Sequence, residues 1–183
     1  YHRDAQLVHV VRAAEPDGFV AAGTPMIREV PAAQLRERLT RAANWLRLDG
    51  RSGQLRPTLP SVAVVGAVAA RGEWTGIRAL VGVIEAPPLR PDGTIIQAPG
   101  YDASTGVLYD PQIDFGLVPE APSQADASEA LRQLCEVWAD FPFSSDEARY
   151  VPVAALLTLL AQWAIRGAVP AFVFDASTRG SGK

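Results

Sequence analysis

The last seven residues of the chain, Ser177, Thr178, Arg179, Gly180, Ser181, Gly182 and Lys183, hold the spacing most suggestive of chemistry. Closely spaced glycines let backbone N–H groups wrap phosphate oxygens with no Cβ in the way. A lysine directly after them reaches the β- and γ-phosphates. The apolar run "AVPAFVFDA" (Ala168–Ala176) comes immediately before, as a buried strand of a parallel sheet feeding such a loop would. Against the pattern G-x-x-x-x-G-K-[ST], Ser177 stands where the first glycine belongs, and the sequence ends on Lys183, ahead of the Ser or Thr that would hold Mg²⁺. The nucleotide-contacting residues expected on this reading are Thr178, Arg179, Gly180, Ser181, Gly182 and Lys183. A flexible Gly/Ser tail gives the same letters. The strand and the lysine itself favour the phosphate loop, because the chain has sixteen arginines and no other lysine.

A second pattern concerns arginine and tryptophan. Leu35, Leu39, Ala42, Ala43 and Leu46 recur at helical period after Pro31, so a helix is expected there. Around its axis Arg38, Arg41 and Trp45 fall on one flank of the apolar stripe, and Arg36 and Arg47 on the other. Arginine with an aromatic among it suits phosphate contact plus base stacking; a solvated face with Trp45 partly packed is the competing account. Trp74, between Arg71 and Arg78, reads as a staple between a helix end and the following strand.

Other chemistries find little support. Asp92, Asp102, Asp110 and Asp114 sit among Gly, Pro and Ser, where aspartate commonly caps a turn, although paired carboxylates could hold Mg²⁺. His2 and His9 both lie near the start, and Cys135 is the one cysteine, so neither a zinc ligand set nor an internal disulfide can be assembled. Cys135 reads as a small core residue. Reducing, cytoplasmic surroundings are the expectation. The most apolar segment, Val151–Ala164, is shorter than the roughly 20 residues a bilayer requires, so no membrane is expected.

The elements that would position these residues follow from pattern. At 183 residues and 48% hydrophobic, the chain can bury a core. "QLVHVV" and Met26–Val30 read as strands, and Ser61–Ala70 as a buried second helix. "LDGRSGQLRP" reads as a break, and "IRALVGVIEAP", "TIIQ" and "GVLYDP" as strands around a tight "RPDGT" turn. Two helices close the series. Ser123 with Asp126 caps the first, whose buried stripe is Ala127, Ala130, Leu131, Leu134, Val137 and Trp138. Ser144 with Glu147 opens the second, renewed at Pro152 and stopped by Gly167 after Arg166. It is apolar nearly all round and is expected to be enclosed. The fold class is α+β: an N-terminal mixed domain (1–118), a helical connector (119–167), and the first strand and loop of an α/β ATPase (168–183). Two helices followed by a hairpin around Pro91–Gly93, with Arg90 near its tip, suit a winged-helix-like module with the hairpin as wing. Charge is uneven: residues 1–90 carry twelve arginines and eight acids, net +4, and residues 91–183 five basic residues and twelve acids, net −7. The front half suits a polyanion better.

The stretches "LVGVIEAPPLRPDGTIIQAPGYDASTGVLYDP", "DFPFSSDEAR" and "FDASTRGSGK" resemble the region ahead of the ATPase in primase-helicase-like proteins of phages and integrated elements. The resemblance covers roughly residues 60–183. It implies a parent ATPase that moves on or unwinds DNA in replication, with Gly180, Gly182 and Lys183 touching nucleotide and ATP bound between subunits of a homo-oligomer. ATP and Mg²⁺ then belong to the full-length parent, and no cofactor is expected on this fragment, which is inactive alone. Starting on Tyr1 and stopping on Lys183, the sequence reads as an excerpt. The expected partners are DNA and the remainder of the same ATPase. The alternative is a structural module that packs on the ATPase and sets its oligomeric state without binding DNA. A catalytic primase-like domain is the weakest reading, since no acidic motif with a basic or His partner is found.

Overall fold

The structure is a computed structural model that describes residues 1–165 and 167–175. Its described residues form a mixed α+β chain with four α-helices and several small sheets. The chain divides into two compact units, Tyr1–Val83 with Tyr101–Asp110, and Ile84–Gly100 with Pro111–Lys183. The sequence reading set its border at 118 instead; the difference arises because the segment 101–110 returns to pair with residues near 82.

The first unit opens with a three-stranded antiparallel sheet, β1 (His2–Arg3), β2 (Gln6–Arg12) and β3 (Pro25–Glu29). The β2–β3 register runs from Val8↔Glu29 to Arg12↔Pro25. Helix α1 (Ala32–Ala42) follows Pro31, and α2 (Val62–Ala69) starts where Ser61 Oγ accepts a hydrogen bond from Val64 N at 3.3 Å. Val30, Leu35 and Val65 form a buried cluster, with Leu7, Leu39 and Val68 packed against it. Burying such side chains is worth about 1.5–3 kcal/mol each, so this cluster joins both helices to the sheet.

Helix α1 stops earlier than its apolar periodicity suggests. Ala43 is extended (φ −152°, ψ 156°), and the next residues form β4 (Leu46–Leu48), paired with β5 (Leu55–Pro57). Trp45 and Arg47 therefore leave the helix. The segment read as a break is a hairpin, since the Asp49 carboxylate organises its turn. Oδ1 accepts from Arg51 N at 3.0 Å, Ser52 N at 2.8 Å and Ser52 Oγ at 3.0 Å, while Gly53 takes φ +66°. The hairpin expected around Pro91–Gly93 is only a turn closed by one bridge, Leu89↔Ile95.

A third sheet, ordered β6 (Gly82–Ile84), β8 (Val107–Tyr109) and β7 (Gly100–Asp102), gives the "PGYDASTGVLYDP" stretch its role. Asp102 Oδ2 accepts from Ser104 Oγ, Thr105 N and Thr105 Oγ1 at 2.6–3.0 Å. Tyr101 donates its hydroxyl to Ala79 O at 2.7 Å and faces Arg78 at 5.1 Å. Val107, Tyr109 and Leu80 are all buried, and Asp110 pairs with Arg12 of β2 at 2.5 Å.

In the second unit, α3 (Gln124–Glu136) begins on the expected capping box of Ser123 and Asp126. A 3₁₀ turn (Glu147–Tyr150) runs directly into α4 (Val151–Ala161), with Pro152 in its first turn. Burial departs from expectation. In the α3 stripe Ala127, Ala130, Leu131 and Val137 are exposed and Leu134 is half-buried. On α4, which was expected to be enclosed, only Pro152 and Val153 are buried, and Leu157 and Leu159 are 53% and 61% exposed. Periodicity marks a sticky face; it does not supply a cover. The helix ends at Ala161, short of the expected stop, and Arg166 lies outside the described residues. Ala168–Asp175, read as a buried strand, pairs with no other strand among the described residues, and Val173 is 84% exposed. A strand exists only through its neighbours, whatever its apolarity. No helix among the described residues is long and apolar enough to cross a membrane.

Candidate nucleic-acid interface

The arginines and tryptophan near α1 separate by what they touch. Arg36 Nε donates to Pro60 O at 2.8 Å, and Trp45 Nε1 donates to Leu39 O at 2.7 Å. Both are half-buried, and together they tie the two legs of the β4–β5 hairpin to α1. Arg41 is ion-paired with Glu37 one turn earlier. Arg38 keeps an exposed guanidinium that makes no hydrogen bond or ion pair among the described residues.

Arg38 and Arg71 lie on a groove of about 440 Å³ whose lining includes Leu39, Val68, Trp74 and Ile77. Trp74 Nε1 donates to Val68 O at 2.8 Å, so the ring does staple the end of α2, as its sequence context suggests. The groove is apolar with two arginines on it, a form that accepts a flat apolar group carrying a negative charge. His9 is held below its ordinary pKa of 6.5, first by partial burial and then by the nearby Arg38 guanidinium. That second influence marks the local field as positive.

The hairpin carries the other basic group. Register places Arg47 directly opposite Arg56, with Leu46↔Pro57 and Leu48↔Leu55 on either side. Directly opposed residues share a face, so the arginines occupy one face and Leu46, Leu48 and Leu55 the other. All six strand residues are exposed. Arg56 Nε lies 3.4 Å from Asp49 Oδ2, whereas Arg47 and the Arg51 side chain have no such partner among the described residues. Sequence reasoning singled out Arg47 and missed Arg51 and Arg56, because the strands are three residues each and their alternation faces no core.

In the second unit, Arg90 folds onto its own turn. Its Nη1 donates to Thr94 Oγ1 at 3.0 Å and Ile95 O at 3.3 Å. Asp92 caps the same turn, accepting from Thr94 N and Oγ1 at 2.9 and 2.7 Å, and these bonds lower its pKa. Asp114 accepts from Gly116 N at 2.8 Å. Asp92, Asp102 and Asp114 thus serve turns and Asp110 an ion pair, and among the described residues no group of three or more His, Cys, Asp or Glu is placed to hold a metal. Thr178, Arg179, Gly180, Ser181, Gly182 and Lys183 lie outside the described residues. No family model, curated protein or solved structure matches this chain.

Proposed function

We propose that the chain is the accessory N-terminal portion of a DNA-dependent ATPase, a helicase or primase-helicase of a phage or integrated element, and that its first unit touches DNA. One observation carries the reading: Arg38, Arg47, Arg51 and Arg71 present guanidiniums with no carboxylate or carbonyl partner among the described residues. The first unit holds eleven arginines against nine carboxylates, net +2; the second has six basic residues against eleven carboxylates, net −5. A packing module does not need unneutralised arginine, and a phosphate backbone does. In the complete parent, Gly180, Gly182 and Lys183 with their neighbours Thr178, Arg179 and Ser181 hold the phosphates of ATP with Mg²⁺, and the first unit guides DNA to or from that motor.

Fluorescence anisotropy of the chain with single-stranded, duplex and forked DNA over a salt series tests the proposal. Binding that weakens steeply with salt and is impaired by Arg38→Ala with Arg71→Ala is the expected result. No binding to any of the three at low salt rules the DNA role out. The second reading, an assembly module, is favoured by the exposed leucines of α4.

A further inference from the structure

We infer that the Leu46–Pro57 hairpin is a two-faced arm for the phosphodiester backbone of DNA, with Arg47 and Arg56 gripping one phosphate and Arg51, at its tip, the next. The inference rests on the DNA-contact reading above and assigns that contact to one element.

Three observations support it. First, like charges directly opposite one another in a sheet destabilise it, yet Arg47 and Arg56 are paired in this way. Asp49 touches Arg56 only, at 3.4 Å, and its other oxygen is taken up by the turn. Arg47, Asp49 and Arg56 line one hollow of about 350 Å³, to which Leu48, Pro57 and Thr58 also contribute. An anion there is met by two guanidiniums against the one carboxylate of Asp49, and would relieve the arginines' repulsion with charge-assisted hydrogen bonds to its oxygens.

Second, the arm is held stiffly at its base. Thr58 N donates to Trp45 O at 2.9 Å; Trp45 and Arg36 in turn bond to Leu39 O and Pro60 O. Little ordering remains to be done when a ligand arrives, which is the condition under which few contacts suffice.

Third, the opposite face is exposed and leucine-rich: Leu46, Leu48 and Leu55 are 54%, 62% and 63% exposed. A ribbon with arginine on one face and unsheltered leucine on the other can meet phosphate with the first and apolar sugar or base edges with the second when it enters a groove. An acidic protein would meet the charges without explaining the bare leucines of a two-stranded ribbon, and a ribbon of this width fits a DNA groove.

The test compares Arg47→Ala/Arg56→Ala with Arg28→Ala, an exposed arginine of β3, by anisotropy with labelled single-stranded and duplex DNA between about 50 and 200 mM salt. Loss of the one phosphate that these two arginines share lowers the slope of log affinity against log salt by about 1. Arg28→Ala leaves it unchanged, and Arg47→Lys/Arg56→Lys recovers most of the affinity. The inference is overturned if the wild-type chain binds DNA and the Arg47/Arg56 double variant binds equally well with the same slope. It is also overturned if anionic phosphatidylserine vesicles bind as strongly as DNA through the same two residues. A wild-type chain that binds no DNA removes the underlying reading itself, so the two failures are told apart.

Discussion

Arg47 stands directly across the β4–β5 ribbon from Arg56, two like charges at one register position of an exposed hairpin. Structure alone gains nothing from this. Arg47→Glu is therefore expected to stabilise the first unit by about 0.2–1 kcal/mol, by turning a repulsive cross-strand pair into an attractive one. The same change should weaken DNA binding by about tenfold or more, since it reverses a phosphate-facing charge. Thermal melting and anisotropy on one preparation check both signs. A variant that loses stability and binding together would mean that Arg47 is a structural residue.

Gly106 closes the turn between β7 and β8 at φ +72°, and a Cβ built on it would lie 2.9 Å from Val81 Cγ2. Gly106→Ala meets both the left-handed penalty, about 1–2 kcal/mol, and that contact. Denaturant melts should show a loss of at least this size. Gly93 also sits in the left-handed region, at φ +85°, but has open space around it, so Gly93→Ala should show the conformational cost alone.

What could be read from the sequence follows a physical line. Some local signals survived: Ser123 caps the helix it was expected to cap, and strand alternation located β2 and β3, whereas Ser145, not Ser144, accepts the hydrogen bond at the start of the last helical stretch. Signals that depend on a neighbour did not. The apolar stripes of α3 and α4 are largely exposed, and residues 168–175 form no strand, because hydrophobicity states a preference for cover and cannot name what covers. The β4–β5 hairpin was hidden for the opposite reason. Its strands face no core, so their register is set by a turn built around Asp49. Among the candidate contacts, Arg36, Arg41 and Trp45 had the right type and spacing, yet they are occupied by Pro60 O, Glu37 and Leu39 O. Only the Arg36–Pro60 bond is long-range and leaves no trace in spacing; the Glu37–Arg41 pair, one helical turn apart, was open to a reading by spacing.

His9 supplies a pH dependence with a definite sign. Burial, then Arg38, hold its folded pKa below the ordinary 6.5, so in the window below 6.5 the unfolded chain binds more protons than the folded one. The His9 contribution is therefore present above about pH 6.5 and lost as pH falls below it. His9→Gln should flatten that part of the stability profile. Arg38→Gln should raise the His9 pKa, seen as a shift in its imidazole NMR titration, and an unmoved titration would show that Arg38 does not act on it.

Helix α4 exposes Leu156, Leu157, Leu159 and Leu160 at 37–61%. Contiguous apolar surface of this kind usually marks an interaction site. If it serves assembly, the chain should self-associate with rising concentration in sedimentation, and Leu156→Glu with Leu160→Glu should return it to monomer. The double variant lies in the second unit and leaves the arginines of the first intact, so its DNA binding at low concentration should match wild type. A chain that stays monomeric at high concentration would remove self-association as the use of this face. On the reading proposed above, an ATPase domain in the same polypeptide would then be the partner to test, by asking whether the leucines become protected in its presence.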